Sequence, residues 1–255
     1  MNDGPVFGWA LALALATLLG LAVGVSKAGR LPIGQELVTA SVRGLVQLLL
    51  ISTIIGTVMQ RTWASLLFAL AMFVVAVLTA SGRVGARRDW PWVAVALAAG
   101  VAPVLIIIFS LGVAAFTGPA IIPIAGITIG GGMTAHTLTA RRAFDAIRTD
   151  QGQVEAGMAL GLPRPSAITN IIGRHGPEAL TPILDQTRTV GLVTLPGAFV
   201  GVLLGGGSAA QAAAAQVLVL VGLLAAESSV VVASQQLIAR GRILPADVRA
   251  SLPIK

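Results

Sequence analysis

Trp90–Ala140, WPWVAVALAAGVAPVLIIIFSLGVAAFTGPAIIPIAGITIGGGMTAHTLTA, runs for about fifty residues without a Lys, Arg, Asp or Glu, and the chain then turns abruptly charged from Arg141 to Arg188. A water-soluble core rarely sustains such a run. Two consecutive membrane helices require one, at roughly 20 apolar residues each. The chain is therefore expected to be an all-α, polytopic integral membrane protein. Its composition agrees: 56% of the 255 residues are hydrophobic, 11% are charged and the mean hydropathy is +0.90, far from the balance of a soluble domain.

Outward from that stretch, seven apolar segments are expected to span, at about Pro5 to Val25, Leu37 to Gln60, Thr62 to Ala80, Trp90 to Leu111, Gly118 to Ala140, Thr189 to Gly205 and Ala210 to Val232. The sixth is barely long enough. Of the 17 Lys and Arg, Arg61 alone falls on one side and Arg43 inside the second segment; the rest lie in the alternate connections and the tail. The positive-inside rule then places the N-terminus outside and the C-terminus in the cytoplasm, in keeping with an odd number of spans. Asp3 precedes the first segment and its positive charge follows it, which favours an uncleaved span over a signal peptide. Trp9, Trp63, Trp90 and Trp92 stand near segment ends, where an indole ring anchors at the headgroup level.

The net charge of +7 sits between apolar runs and forms no soluble basic face, so no nucleic-acid partner is expected. The lack of Cys removes disulfides, zinc thiolates and thiol nucleophiles. There is no G-x-x-x-x-G-K-[ST] loop, H-E-x-x-H or G-x-S-x-G, so an enzyme is not expected, and any ATP would be used by a separate subunit.

Glycines four apart, Gly20 with Gly24, Gly126 with Gly130, Gly197 with Gly201 and Gly201 with Gly205, suit close helix crossings in lipid. Gly130, Gly131 and Gly132 in the fifth span, and Pro196 with Gly197 in the sixth, weaken two spans that flank the charged loop and are hinge candidates. Within that loop, Ala143, Phe144, Ile147, Val154, Met158, Leu160 and Leu162 recur at helical intervals. Short amphipathic helices are expected there, stopped by Pro163 and Pro165 and punctuated by Pro177 and Pro182 before the sixth span.

The E-A-x-x-x-L-G pattern of Glu155, Ala156, Leu160 and Gly161 resembles the coupling loop of ABC-transporter permeases. Taken together, Gly130 to Met133, Glu155 to Gly161, and TPILDQTRTVGLVTLPGAFVGVLLGG at 181–206 resemble the FetB family of ABC-transporter permeases, the group proposed to export iron. The likeness extends from the second span to the seventh. The family usually carries Asn at the position of Asp185 and Met near Arg188, departures that bear on the substrate more than on the class. The resemblance implies one permease domain over 1–255 with a cytoplasmic coupling loop at about 141–188. It also implies a homodimer in the plasma membrane, a bacterial inner membrane, and an ABC ATPase partner that binds ATP and Mg; no cofactor is implied on this chain.

Arg43 and Glu227 are charges inside spans, each costing on the order of 2.5 to 3.5 kcal/mol at a helix centre by insertion scales. Gln47 shares the face of Arg43, and the three suit a paired network or a polar cavity lining; snorkelling of Arg43 is the plainer reading. His136 is a candidate transition-metal ligand, with Met133 beside the triple glycine. With only two His in the chain, one subunit is not expected to build a tight metal cage. The competing function is a secondary transporter or channel without an ATPase, whose hallmarks would be more intramembrane carboxylates or inverted repeats with broken helices.

Overall fold

The computed structural model describes residues 8–252. Asp3, the Pro5 start of the first expected span and Lys255 lie outside the described residues. The chain forms two compact units, residues 1–58 and 59–255. The described residues form helices joined by turns, with six helices long and apolar enough to cross a membrane.

In the first unit, α1 (Trp9–Ala28) and α2 (Gly34–Met59) are joined by a tight turn. Its geometry comes from Arg30 at φ 55°, with the Leu31 amide donating to the Ser26 carbonyl at 2.8 Å. Leu15, Leu19 and Ala22 of α1 and Leu37, Leu45 and Leu48 of α2 line one apolar groove.

The second unit holds α3 (Thr62–Arg83), α4 (Trp90–Ser110), α5 (Gly118–Thr149), α6 (Gln151–Ala159), α7 (Arg164–Ile172), α8 (Thr181–Thr189), α9 (Gly197–Leu204), α10 (Ala209–Ala239) and α11 (Ala246–Ser251). α10 packs against α4 and α5, and α3 packs against α5. α10 begins with a reciprocal cap: the Gln211 amide donates to Ser208 Oγ at 3.2 Å while Gln211 Oε1 accepts from the Ser208 amide at 2.8 Å.

Three features depart from the sequence expectations. First, α5 does not stop at Ala140. Its buried stripe, Ile121, Ala125, Ile129, Gly132, Ala135 and Thr139, continues in register through Ala143, Phe144 and Ile147. The residues expected to open a separate amphipathic helix thus extend the fifth one. At about 1.5 Å per residue its 32 residues reach about 48 Å, beyond a hydrocarbon core of about 30 Å.

Second, Pro163 and Pro165 do not stop α6. That helix ends at Ala159, where Gly161 takes φ +89°; Pro163 caps α7 and Pro165 lies in its first turn, where a missing amide proton is harmless. Third, the sixth expected span is a broken helix that begins earlier than Thr189. Polar α8, placed by composition in the cytoplasmic loop, packs Ile183 against Leu220 and Leu223 near the middle of α10. The chain then turns through 190–196, with Gly191 at φ +80°, and resumes as α9, whose Phe199 amide donates to Gln216 Oε1 at 3.3 Å. Thr181–Leu204 therefore runs alongside α10 as two short helices, neither of them among the six long enough to cross a membrane, and Arg188 lies in the first.

Close helix approach occurs mainly at glycines other than those spaced four apart. A Cβ on Gly100 of α4 would collide with the Ala226 carbonyl of α10, whereas Gly130, Gly197 and Gly201 have nothing within 4 Å of where a Cβ would stand. Gly126 meets only the flexible end of Met72.

Gly100→Ala is therefore expected to destabilise the protein by about 1–3 kcal/mol through overpacking. Gly152→Ala in α6, where the space is open, should stabilise it by up to about 1 kcal/mol through helix propensity. Thermal unfolding of both variants in the same detergent checks the opposite signs.

Candidate functional site

The charged loop folds into a helical hairpin. Val154 of α6 and Ala167, Ile168, Ile171 and Ile172 of α7 are buried, and Gly157 lets the two helices meet, its Cβ position lying 3.4 Å from Ala167. Burial of these positions leaves the other face outward: Glu155, Ala156, Leu160 and Gly161 are exposed. Leu160 at the tip is 87% exposed, and Gly161, with open space around it, makes the left-handed turn that presents it. All four residues singled out by the E-A-x-x-x-L-G pattern thus stand together on one accessible surface.

Polar contacts fasten this hairpin to its surroundings. Gln151 Nε2 donates to Glu155 Oε1 at 3.1 Å and to the Ser251 carbonyl at 2.9 Å, tying α6 to α11. Arg148, in the last turn of α5, pairs with Asp247 of α11 at 2.8 Å and with Asp145 at 3.0 Å. Gln235 of α10 donates to the Ile172 carbonyl at 3.0 Å and packs on Gly176, where any side chain would displace it. Glu178 accepts from Arg142 at 3.1 Å and is bonded to His175 at 2.9 Å. The His175 hydrogen bond first, with the Arg142 guanidinium adding to it against a partly desolvating setting, holds the Glu178 carboxyl below its ordinary value. Arg148 does the same for Asp247, again against partial desolvation.

Deeper along the same helices lies a polar seam between α5 and α10. Glu227 is buried, and a Cβ on Gly131 would fall 2.6 Å from its Oε1, so the glycine provides the space in which the carboxylate lodges. Two turns toward the α10 C-terminus, buried Ser234 makes a 2.8 Å hydrogen bond with His136 Nδ1 of α5, while Nε2 of that ring is buried without a partner. α5 runs unbroken through Gly130, Gly131 and Gly132; the break in backbone regularity comes instead just before Pro196 and Gly197, where α9 starts. Met133 is half-buried against the core beside the seam. Arg43 and Gln47 lie one turn apart on α2, in the first unit.

Among the described residues no cluster of three or more His, Asp or Glu has the arrangement of a metal site. An apolar cavity of about 780 Å³ opens between α4, α5, α9 and α10, with Pro119, Pro123, Gly197, Gly201, Ala215 and Leu218 in its wall.

Several residues that organise these regions carry no sequence signal. Asp89 accepts from the Leu244 amide at 3.0 Å and from Arg249 at 2.6 Å, across about 160 positions of chain. Arg242 stacks over Trp92 at 4.7 Å, so one of the expected headgroup anchors is also a clasp for the C-terminal segment. Ser234 and Gln235 sit in an alternating run of small, apolar and amide side chains that gives no hint of which one meets a partner.

Comparison with known proteins places this geometry in context. Residues 9–242 match the uncharacterised protein family UPF0014. The chain is 30% identical over 196 residues to the UPF0014 membrane protein STAR2 of Oryza sativa subsp. japonica, covering 76% of this chain and 69% of that one. It is 30% identical over 197 residues to Protein ALUMINUM SENSITIVE 3 of Arabidopsis thaliana, covering 76% and 72%. It is 26% identical over 210 residues to the Probable iron export permease protein FetB of Escherichia coli, covering 80% and 79%. No solved structure matches.

Ser234→Ala should cost about 1–3 kcal/mol, because it leaves the second nitrogen of His136 unsatisfied as well. Adding His136→Leu should recover most of that loss, which thermal unfolding of the single and double variants measures. The ordinary carboxyl values for Glu178 and Asp247 are 4.5 and 3.8, and both are lowered. Their contribution to stability is thus complete above about pH 4.5 and is lost as pH falls through the lowered values. Hydrogen exchange is expected to show α11 and 177–180 loosening before α5 as the pH is taken down from 5.

Proposed function

We propose, given that the chain belongs to the UPF0014 family, that it is the membrane-spanning permease subunit of an ABC transporter. It exports iron or another metal species, with ATP and its magnesium ion bound by a separate ATPase subunit. Two copies form the pore in the cell membrane, a bacterial inner membrane. Residues 1–255 act as one permease domain with the N-terminus outside and the C-terminus in the cytoplasm.

The observation that carries this reading is the exposed Leu160 at the tip of a hairpin that is otherwise tied down. A large apolar side chain 87% exposed on a charged surface is a docking knob of the kind that fills a cleft on a partner. The E-A-x-x-x-L-G resemblance falls on this surface. The name of the Escherichia coli relative speaks of iron export and that of the Arabidopsis relative of aluminium sensitivity, and both support a metal substrate.

In mechanism, closure of two ATPase subunits on ATP draws the paired hairpins together. α5 passes the motion on, because one continuous helix links the hairpin's tethers at Arg142 and Arg148 to the Gly131–Glu227 seam. The glycines at 130–132 and the break at 190–197 are where the spans flex. The cavity then changes the side to which it opens.

One observation favours the alternative of a secondary transporter: the sixth crossing is broken, as in many gradient-driven carriers. Transport in sealed vesicles holding this chain and its ATPase separates the two. Under the proposal, metal movement needs ATP, is seen with iron and falls at least tenfold with Leu160→Asp, which also abolishes co-purification of the ATPase while the permease remains folded. Metal movement driven by an ion gradient alone, unchanged by Leu160→Asp, would overturn it.

A further inference from the structure

We propose that α8 and the turn that follows it form the two-fold interface between copies of this chain, with Asp185 of each copy paired to the partner's Arg188. The inference rests on the homodimer of the proposed function and assigns it a surface.

The first observation is position. α8 lies beside Leu220 and Leu223, in the middle of the 31-residue α10; with α10 as a span, long and apolar enough to cross, that is the depth of the hydrocarbon core. One side of α8 is spoken for, since Ile183 is buried and Thr187 is half-buried with its hydroxyl donating to the Ile183 carbonyl at 2.7 Å. The opposite side carries Asp185 and Arg188, whose side chains are 61% and 71% exposed. Their 3.3 Å contact satisfies one Asp185 oxygen and one guanidinium nitrogen, leaving most of the donors of Arg188 open. Charges at this depth do not face lipid; they meet another polar group or a water-filled space.

The second observation is the backbone. In the turn, the amides of Leu192, Val193 and Thr194 converge on the Thr189 carbonyl, and the Gly191 amide donates to the Thr194 carbonyl. Among the described residues, the carbonyls of Leu192, Val193 and Leu195 accept no such bond. Irregular backbone within a bilayer persists only where protein covers it or water reaches it. Water alone does not suit this turn, because Leu192 is 90%, Val193 78% and Leu195 60% exposed. Polar groups that exclude lipid stand next to apolar ones that exclude water, and a protein surface suits both.

The third observation selects the occupant. Asp185 and Arg188 are one turn apart on one face with opposite charge, so the surface complements itself under a two-fold rotation, in which residue i meets j and j meets i. A second copy of this chain is the partner that such a pattern specifies. The transport path then runs along this interface and is incomplete in one copy.

The chain has no Cys, so single cysteines report on the interface without background. Leu192→Cys in the full-length protein, oxidised in native membranes, is expected to give a disulfide-linked dimer, while Leu66→Cys on the exposed face of α3 stays monomeric under the same treatment. In the Leu192→Cys background, Asp185→Arg or Arg188→Asp should cut cross-linking at least fivefold, and the two together should restore it. Equal or absent cross-linking at 192 and 66 overturns the proposal. So does a charge swap that fails to restore cross-linking of protein shown to be folded by its elution profile. ATPase co-purification measured on the same samples keeps the two readings apart: an ATPase bound to a chain that does not cross-link at 192 refutes this interface and leaves the permease reading standing.

Discussion

The second unit depends on close approach where α10 crosses α4 and α5, backbone against backbone at Gly100 and side chain into a glycine-made space at Gly131. In lipid, apolar side chains gain little by leaving one hydrocarbon for another, so helices hold together through contact distance and a few buried polar bonds. Gly100 against Ala226, Gly131 against Glu227 and Gly132 against Val230 supply the distance. The His136–Ser234 pair supplies a polar bond at the same interface. A side chain at Gly100 would meet the Ala226 carbonyl, and one at Gly131 would displace Glu227 from the seam above which α5 extends past Ala140.

The broken crossing follows from the same economy applied to the backbone. A continuous helix satisfies its own amides and carbonyls, and Thr181–Leu204 gives that up over 190–196. The loss falls beside the apolar cavity bounded by α9 and between the polar helix α8 and the apolar helix α9. Open volume lies where α9 and α10 face α4 and α5, while α8 meets α10 on another face, at Leu220 and Leu223.

Much of this was legible in the sequence. The charge-free run gave α4 and the membrane part of α5 nearly to the residue, and the E-A-x-x-x-L-G residues emerged together at the hairpin tip. What escaped was set by long-range packing. Hydropathy has no means to place Thr181–Thr189 against α10, because only Ile183 facing Leu220 and Leu223 draws that polar segment inward. The glycine spacing rule found pairs on one helical face, but Gly100, which lies against the backbone of α10, has no glycine four residues away and was invisible to it. Asp89 gathering Leu244 and Arg249 depends on how the C-terminal segment folds back, and no local pattern encodes that return.

The unbroken passage of α5 from seam to hairpin has a geometric corollary. Each residue of an α-helix turns the chain by about 100°, so one insertion or deletion between Ala140 and Phe144 would swing Arg148 and everything anchored to it about a quarter of the way round the axis. Natural length variation at this point is thus expected to come in steps of seven residues, close to two full turns, or to be absent. The spacing from Gly131 to Arg148 behaves as a phase setting, holding the angular register between the α5–α10 seam and the surface that the hairpin presents.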